Sequence, residues 1–232
     1  MKVSIHQPQY WPWLPYFLKI AECDVFILLD SVDFQKNGLQ NRNLIKTAQG
    51  AQWLTVPVRQ RLGQTLIEVE IDNNTDWRKK HWLTITQNYG KAKAFRRYAG
   101  EIESVYLQDW KKLTELNIVL LQVMLRWLGI ERTIMRSSEM QAAGKSSALI
   151  LNLCLEVGAK RYISGDGGQN YLDEGAFNAA GVEILFRTPA LPLPFPQQHP
   201  SIRFIDDLSA LDIFLNCGDE WRNFLPVEPA CS

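Results

Sequence analysis

The chain has 232 residues, 46% hydrophobic and 22% charged, and its 25 Lys+Arg balance 25 Asp+Glu. That length and apolar content can bury a substantial core and exclude a largely disordered chain. The balanced charge offers no basic surplus for nucleic acid and no acidic solvating tail, so any charged partner must be recognised locally.

The chain opens with a short β-prone segment, "KVSIH" at 2–6, followed by "QPQYWPWLPY", in which Pro8, Pro12 and Pro15 forbid ordinary helix until about Tyr16, where "YFLKIAEC" can form one. "DVFILLD" at 24–30 is an apolar run between aspartates, the pattern of a strand covered on both faces, so the first 30 residues read as a βαβ unit. "NLIKT", a turn at Gln49–Gly50 and "AQWLTVPV" predict a hairpin, and "LIEVEID" at 66–72 predicts a further antiparallel strand, together an insertion or sheet extension over 43–72. A helical block over 75–129 follows: "DWRKKHWLTITQNYG" with Thr75 or Asp76 as cap and Gly90 as stop, a helix over about 94–106, and one over about 110–128. Alternation then returns: strand at 132–137, helix at 146–158, strand at 161–165, helix at 172–181 and strand at 182–187, with Gly158 and Gly181 closing the helices. The proline-rich "TPALPLPFPQQHP" reads as a rigid connection, and a last helix is expected over about 207–217. The expected fold is α/β: one domain over 1–232 with a doubly wound, mostly parallel sheet, an inserted β-hairpin and a helical middle block.

Cys23, Cys154, Cys217 and Cys231 lie far apart without a C-x-x-C pair, and the three histidines lack zinc spacing, so no metal site is expected. There is no h-region at the amino terminus and no run of about 18 apolar residues, so a cytoplasmic location without a transmembrane segment is expected. No G-x-S-x-G elbow or Walker A loop occurs, and in "AAGKSS" Ser146 or Ser147 reads as a helix cap rather than part of a phosphate loop.

In parallel α/β sheets the carboxyl ends of the strands open into the ligand crevice. There the sequence places His6 and Gln7, Asp30, Ser137 and Ser138, and the loop "SGDGGQNY" with Ser164, Gly165, Gly168 and Tyr171. His6 has the neutral-range pKa of a general acid or base; His81 and His199 read as structural. "DFQKNGLQNRNLIK" concentrates Gln35, Lys36, Asn41, Arg42, Asn43 and Lys46, cations and amides suited to phosphate, carboxylate, nucleotide or sugar. Tyr10, Trp13 and Tyr16, held by the prolines, offer an aromatic wall on which a sugar or base could stack.

The blocks "HQPQYWPWLPYFLKI", "LLDSVDFQKN", "QNRNLIKT", "WLTVPV", "WRKKHW", "YISGDGGQNYLDEGAF" and "LSALDIFLNCG" resemble, in order and spacing, the WbqC-like protein family, from about residue 5 to 218. Pro15 stands where that family usually has glycine, and is expected to hold Leu14 extended. The resemblance implies a place in O-antigen or other surface-polysaccharide assembly, with transfer of a glycyl or other acyl group to a nucleotide- or lipid-linked sugar. It carries onto His6, Gln7, Tyr10, Trp13, Tyr16, Lys19, Asp30, Gln35, Asn41, Arg42, Asn43, Lys46, His81, Ser164, Gly165, Gly168, Tyr171, Asp212 and Asn216. In this reading His6 and Asp30 are catalytic, and Arg42, Lys36 and Lys46 hold phosphate or carboxylate. The reading requires His6 and Arg42 to face a common cavity. Its partners are small molecules, namely a sugar nucleotide and an aminoacyl or acyl donor; ATP or CoA is left open as cofactor, no nucleic acid is expected, and a homodimer is allowed. The alternative is a non-catalytic subunit that binds the same sugar or nucleotide.

Overall fold

The computed structural model describes residues 1–225; Cys231 lies outside them. Its centre is a parallel sheet of β1 (Lys2–His6), β2 (Val25–Leu28), β7 (Thr133–Arg136), β8 (Arg161–Gly165) and β9 (Glu183–Arg187) in the order β7-β2-β1-β8-β9. Strand alternation assigns the two faces. Val3, Ile5, Val25, Ile27 and Tyr162 pack on Leu149, Ile150 and Leu153 of α5 (Ser146–Glu156) and on Phe177 of α6 (Glu174–Ala179). Phe26, Leu28 and Ile163 turn the other way, into a core with Leu14, Phe17 and Ile20 of α1 (Leu14–Glu22).

That second core continues through β3 (Arg42–Thr47), β4 (Gly50–Thr55), β5 (Val58–Arg59), β6 (Glu70–Ile71), α2 (Trp77–Tyr89), α3 (Phe95–Leu107), α4 (Leu113–Leu128) and α7 (Leu211–Cys217). The hairpin β3–β4 pairs only with itself, as does β5–β6, so the inserted strands do not widen the parallel sheet.

Several elements depart from the sequence expectation for local reasons. The segment 66–72 is a 3-10 turn at Leu66–Glu68 before the two residues of β6. Glu68 Oε2 accepts from both Thr65 N and Thr65 Oγ1 at 2.9 and 2.8 Å, and this turn buries Leu66 and Val69 on one side, as strict alternation would not. Helix α1 begins at Leu14 rather than Tyr16, since Pro15 falls in the first turn, where its missing N–H costs nothing; Leu14 is therefore helical and Trp13 the extended residue. Asp76 and Ser146 do not cap α2 and α5 through their side chains, while Ser147 Oγ accepts from Asp173 N at 2.8 Å. Gly158 and Gly181 end their helices with φ of 70° and 73°, as expected of left-handed stops.

Candidate functional site

The strand order reverses at β1: the chain proceeds outward through β2 to β7, then returns to β8 on the other side. At this switch point the sheet splits. Pairing of β1 with β8 stops at Ser4–Ile163, locked by Ser4 Oγ donating to Ile163 O at 3.0 Å, whereas β1–β2 continues to His6–Leu28 and β8–β9 to Gly165–Arg187. His6 is thus delivered to the open end of a crevice, the position where doubly wound sheets bind ligands.

Two cavities flank His6. One, about 400 Å³, is lined by Ile5, His6, Gln7, Leu29, Val32, Gln35, Ser146, Leu149, Ile150 and Tyr171. The other, about 850 Å³, runs between α1 and the residues after β9, with Trp13, Tyr16 and Lys19 on one wall and Gly165, Thr188 and Pro189 among those opposite. His6 is the residue common to both. Its Nδ1 lies 3.1 Å from Gln7 O. A carbonyl only accepts, so Nδ1 carries the proton and Nε2 presents a lone pair. The Tyr16 ring meets the imidazole edge-on at 5.0 Å, and Tyr16 OH donates to Gln7 O at 3.2 Å. Burial, with the Lys19 charge adding to it, lowers the His6 pKa to about 3, so the ring is neutral around pH 7.

Gln7 is oriented by its neighbours. Its Oε1 accepts from Gln40 Nε2 at 2.8 Å, Gln40 Oε1 in turn accepts from Gln35 N at 2.8 Å, and Gln40 O accepts from Asn117 Nδ2 at 2.8 Å. The Gln7 amide NH₂ is left as a donor for the smaller cavity. Gln35 and Tyr171 also reach this cavity, and Gly165 reaches the larger one.

Other sequence candidates sit elsewhere. Asp30 is fully buried and lines neither cavity. Its carboxylate accepts from Arg136 Nε (2.8 Å), Ser137 Oγ (3.1 Å), Ser138 N (2.9 Å) and Ser138 Oγ (2.9 Å), which fastens the loop after β2 to the end of β7. With its lone pairs engaged and neither cavity beside it, Asp30 has the surroundings of a structural anchor rather than of a group open to substrate. Arg42 also lines neither cavity, so it shares none with His6; its guanidinium lies 4.2 Å above the Trp53 ring and Nη2 donates to Asn37 O at 2.6 Å. Lys36 is exposed. Lys46 is buried, with Nζ donating to Gln197 Oε1 (2.9 Å) and Ile202 O (3.0 Å). Gln197 Nε2 and Tyr89 OH each donate to Asp212 at 2.7 Å, and Asn216 Nδ2 donates to Asp212 O at 2.7 Å. This closed network pins the proline-rich segment to α7 and α2.

Asn41 Nδ2 donates to Val56 O at 2.9 Å and Asn43 Nδ2 to Trp11 O at 2.8 Å. Tyr10 is buried, its hydroxyl 2.8 Å from His81 Nδ1 and 2.6 Å from Tyr106 OH, so it is not part of the aromatic wall with Trp13 and Tyr16. Ser164 is buried and donates to Gly165 O at 3.0 Å. Gly168 is required for close packing: a Cβ there would lie 2.1 Å from Ser164 Oγ and 2.8 Å from Leu172 Cδ1.

Sequence reading missed Ser146, Leu149 and Ile150 in the smaller cavity and Arg187, Thr188 and Pro189 in the larger one. The rule that sites gather after strands, applied to "RTPA" following β9, could have found the second group. Among the described residues no group of three or more His, Cys, Asp or Glu could hold a metal ion, and no helix is long and apolar enough to cross a membrane.

Residues 7–223 match the WbqC-like protein family. The uncharacterized protein Rv1507c of Mycobacterium tuberculosis is 34% identical over 227 residues, covering 97% of each chain. No solved structure gives a significant match.

Proposed function

The chain belongs to the WbqC-like protein family, and from that premise we propose that it is a transferase of surface-polysaccharide assembly, moving a glycyl or other acyl group onto a nucleotide- or lipid-linked sugar. One observation carries the reading: a single neutral imidazole lines two separate cavities at the switch point of the sheet. A base placed where two cavities adjoin can serve a transfer between a reactant in each. In this reading His6 Nε2 takes the proton from the attacking amine or hydroxyl as its bond to the acyl carbonyl forms, then returns the proton to the donor's leaving group. Gln7 and Tyr16 keep the ring and its tautomer in place, so little reorganisation accompanies the step. The low pKa favours the unprotonated base and limits its proton affinity, and an anionic substrate nearby would raise it.

The test has two stages. A thermal-shift screen with nucleotides, UDP-sugars, CoA thioesters and amino acids should find stabilising ligands, since one held at ~100 times its Kd adds about 2.7 kcal/mol. With a donor–acceptor pair in hand, His6→Ala should lower turnover by about 10²-fold or more while both ligands still bind. Ligands that bind without any transfer would instead support the non-catalytic binding subunit.

A further inference from the structure

The two cavities differ in charge. Apart from His6, the smaller is lined by neutral side chains alone. The larger carries Lys2, Lys19 and Arg187 against Glu22 and Asp166, three cations to two carboxylates. Arg187 is committed to Glu22, with Nη2 2.6 Å and Nε 3.0 Å from Oε1. Asp166 Oδ1 accepts from Thr188 Oγ1 at 3.4 Å. Lys19 has no hydrogen bond or ion pair with any described residue, and it sits one turn after Tyr16 on the wall that α1 presents to the cavity. A half-buried ammonium group without a partner is costly, and burial accordingly lowers its pKa to about 8. An anion in the cavity would supply the missing partner.

We propose that Lys19 binds the phosphate of a phosphorylated reactant in the larger cavity, leaving the smaller, neutral cavity for the other reactant. The planar fork of arginine matches carboxylate and phosphate alike, but the guanidinium here is bonded to Glu22, which leaves Lys19 as a point charge of the kind that binds phosphate. The neutral cavity, with the Gln7 NH₂, Ser146 and Tyr171 above an apolar floor of Ile5, Leu149 and Ile150, suits an uncharged polar group such as a carbonyl or sugar hydroxyl. The assignment rests on the two-reactant reading for its division of the cavities, but the phosphate site is tested without any turnover.

Isothermal titration with inorganic pyrophosphate and, in parallel, with acetate should show pyrophosphate binding to the wild type and at least about tenfold weaker binding to Lys19→Met, the scale of one lost charge-assisted contact. Lys19→Arg should restore most of the affinity. In the wild type, pyrophosphate should also protect Lys19 from an amine-reactive label read by peptide mass spectrometry, which needs no variant to fold. The proposal is overturned by pyrophosphate binding that is the same in Lys19→Met, by no pyrophosphate binding at millimolar concentration, or by acetate binding that depends on Lys19 in place of pyrophosphate. Turnover of His6→Ala bears only on the transfer reading, so the two failures remain distinguishable.

Discussion

Replacing Asp30 by alanine removes a buried carboxylate that accepts from four donors and pairs with Arg136 at 2.8 Å. Loss of one partner of a buried ion pair costs about 3–5 kcal/mol, chiefly because the other charge is stranded. Arg136 has a side-chain exposure of 32% and a second carboxylate, Glu139, at 3.5 Å, so its charge can partly rehydrate and re-pair. The Ser138 N–H and the two serine hydroxyls lose their common acceptor as well. The lower end of the range, about 3 kcal/mol, is therefore expected. Asp30→Asn should cost less: its Oδ1 can keep the bonds from Ser137 and Ser138 N, while its NH₂ confronts Arg136 Nε. Urea unfolding reads both variants as a fall in midpoint at unchanged slope. A structural anchor predicts that whatever fraction stays folded binds the wild-type ligands with wild-type affinity. An Asp30→Ala protein within about 0.5 kcal/mol of wild type, yet unable to perform transfer, would refute the anchor and restore a catalytic role.

Gly168→Ala should destabilise the protein by about 1–3 kcal/mol through overpacking on Ser164 and Leu172, measured by thermal or urea unfolding; an unchanged midpoint would show that the loop yields freely. Burial lowers the His81 pKa from 6.5 to about 4, so the native state holds fewer protons; this contribution to stability is full above pH 6.5 and is lost as pH falls toward 4, about 3 kcal/mol in all. Asp212 has the opposite sign. Burial outweighs its bonds from Tyr89 and Gln197 and raises its pKa from 3.8 to about 6, so its contribution is full below pH 3.8 and is lost as pH rises through 6. The two offset each other, so His81→Gln should flatten or reverse the acid limb of a stability–pH profile and Asp212→Asn should steepen it. Identical limbs in all three proteins would contradict both assignments.

The α/β alternation is legible because β1, β2, β8 and β9 are short apolar or β-branched runs, each separated from its helix by proline, aspartate or glycine. His6, Gln7, Gln35, Gly165 and Tyr171 are legible as residues that line the two cavities because the rule placing crevices after parallel strands depends on topology alone. Arg42, Lys46, Asn41 and Asn43 line neither cavity and each donates to a loop carbonyl, that of Asn37, Ile202, Val56 and Trp11 respectively. The loop over 7–13 is irregular backbone in the interior, with Trp11 at φ 41°, and its carbonyls need partners that no ladder provides. Asn43 supplies one there, the other three side chains serve carbonyls of other loops, and a one-dimensional pattern does not distinguish a donor aimed at a ligand from one aimed at a backbone carbonyl. The 66–72 strand fails similarly: "LIEVEID" alternates well enough, but the Thr65–Glu68 capping box tightens it into a turn.

The central claim is that His6 meets both cavities as an uncharged base with its lone pair on Nε2. Nitrogen-15 NMR of the His6 ring over pH 5–8 tests it directly. The account predicts a neutral ring protonated on Nδ1 throughout that range, as the bond to Gln7 O and the half-buried position require. An imidazolium at pH 7, or a neutral ring carrying its proton on Nε2, would contradict it.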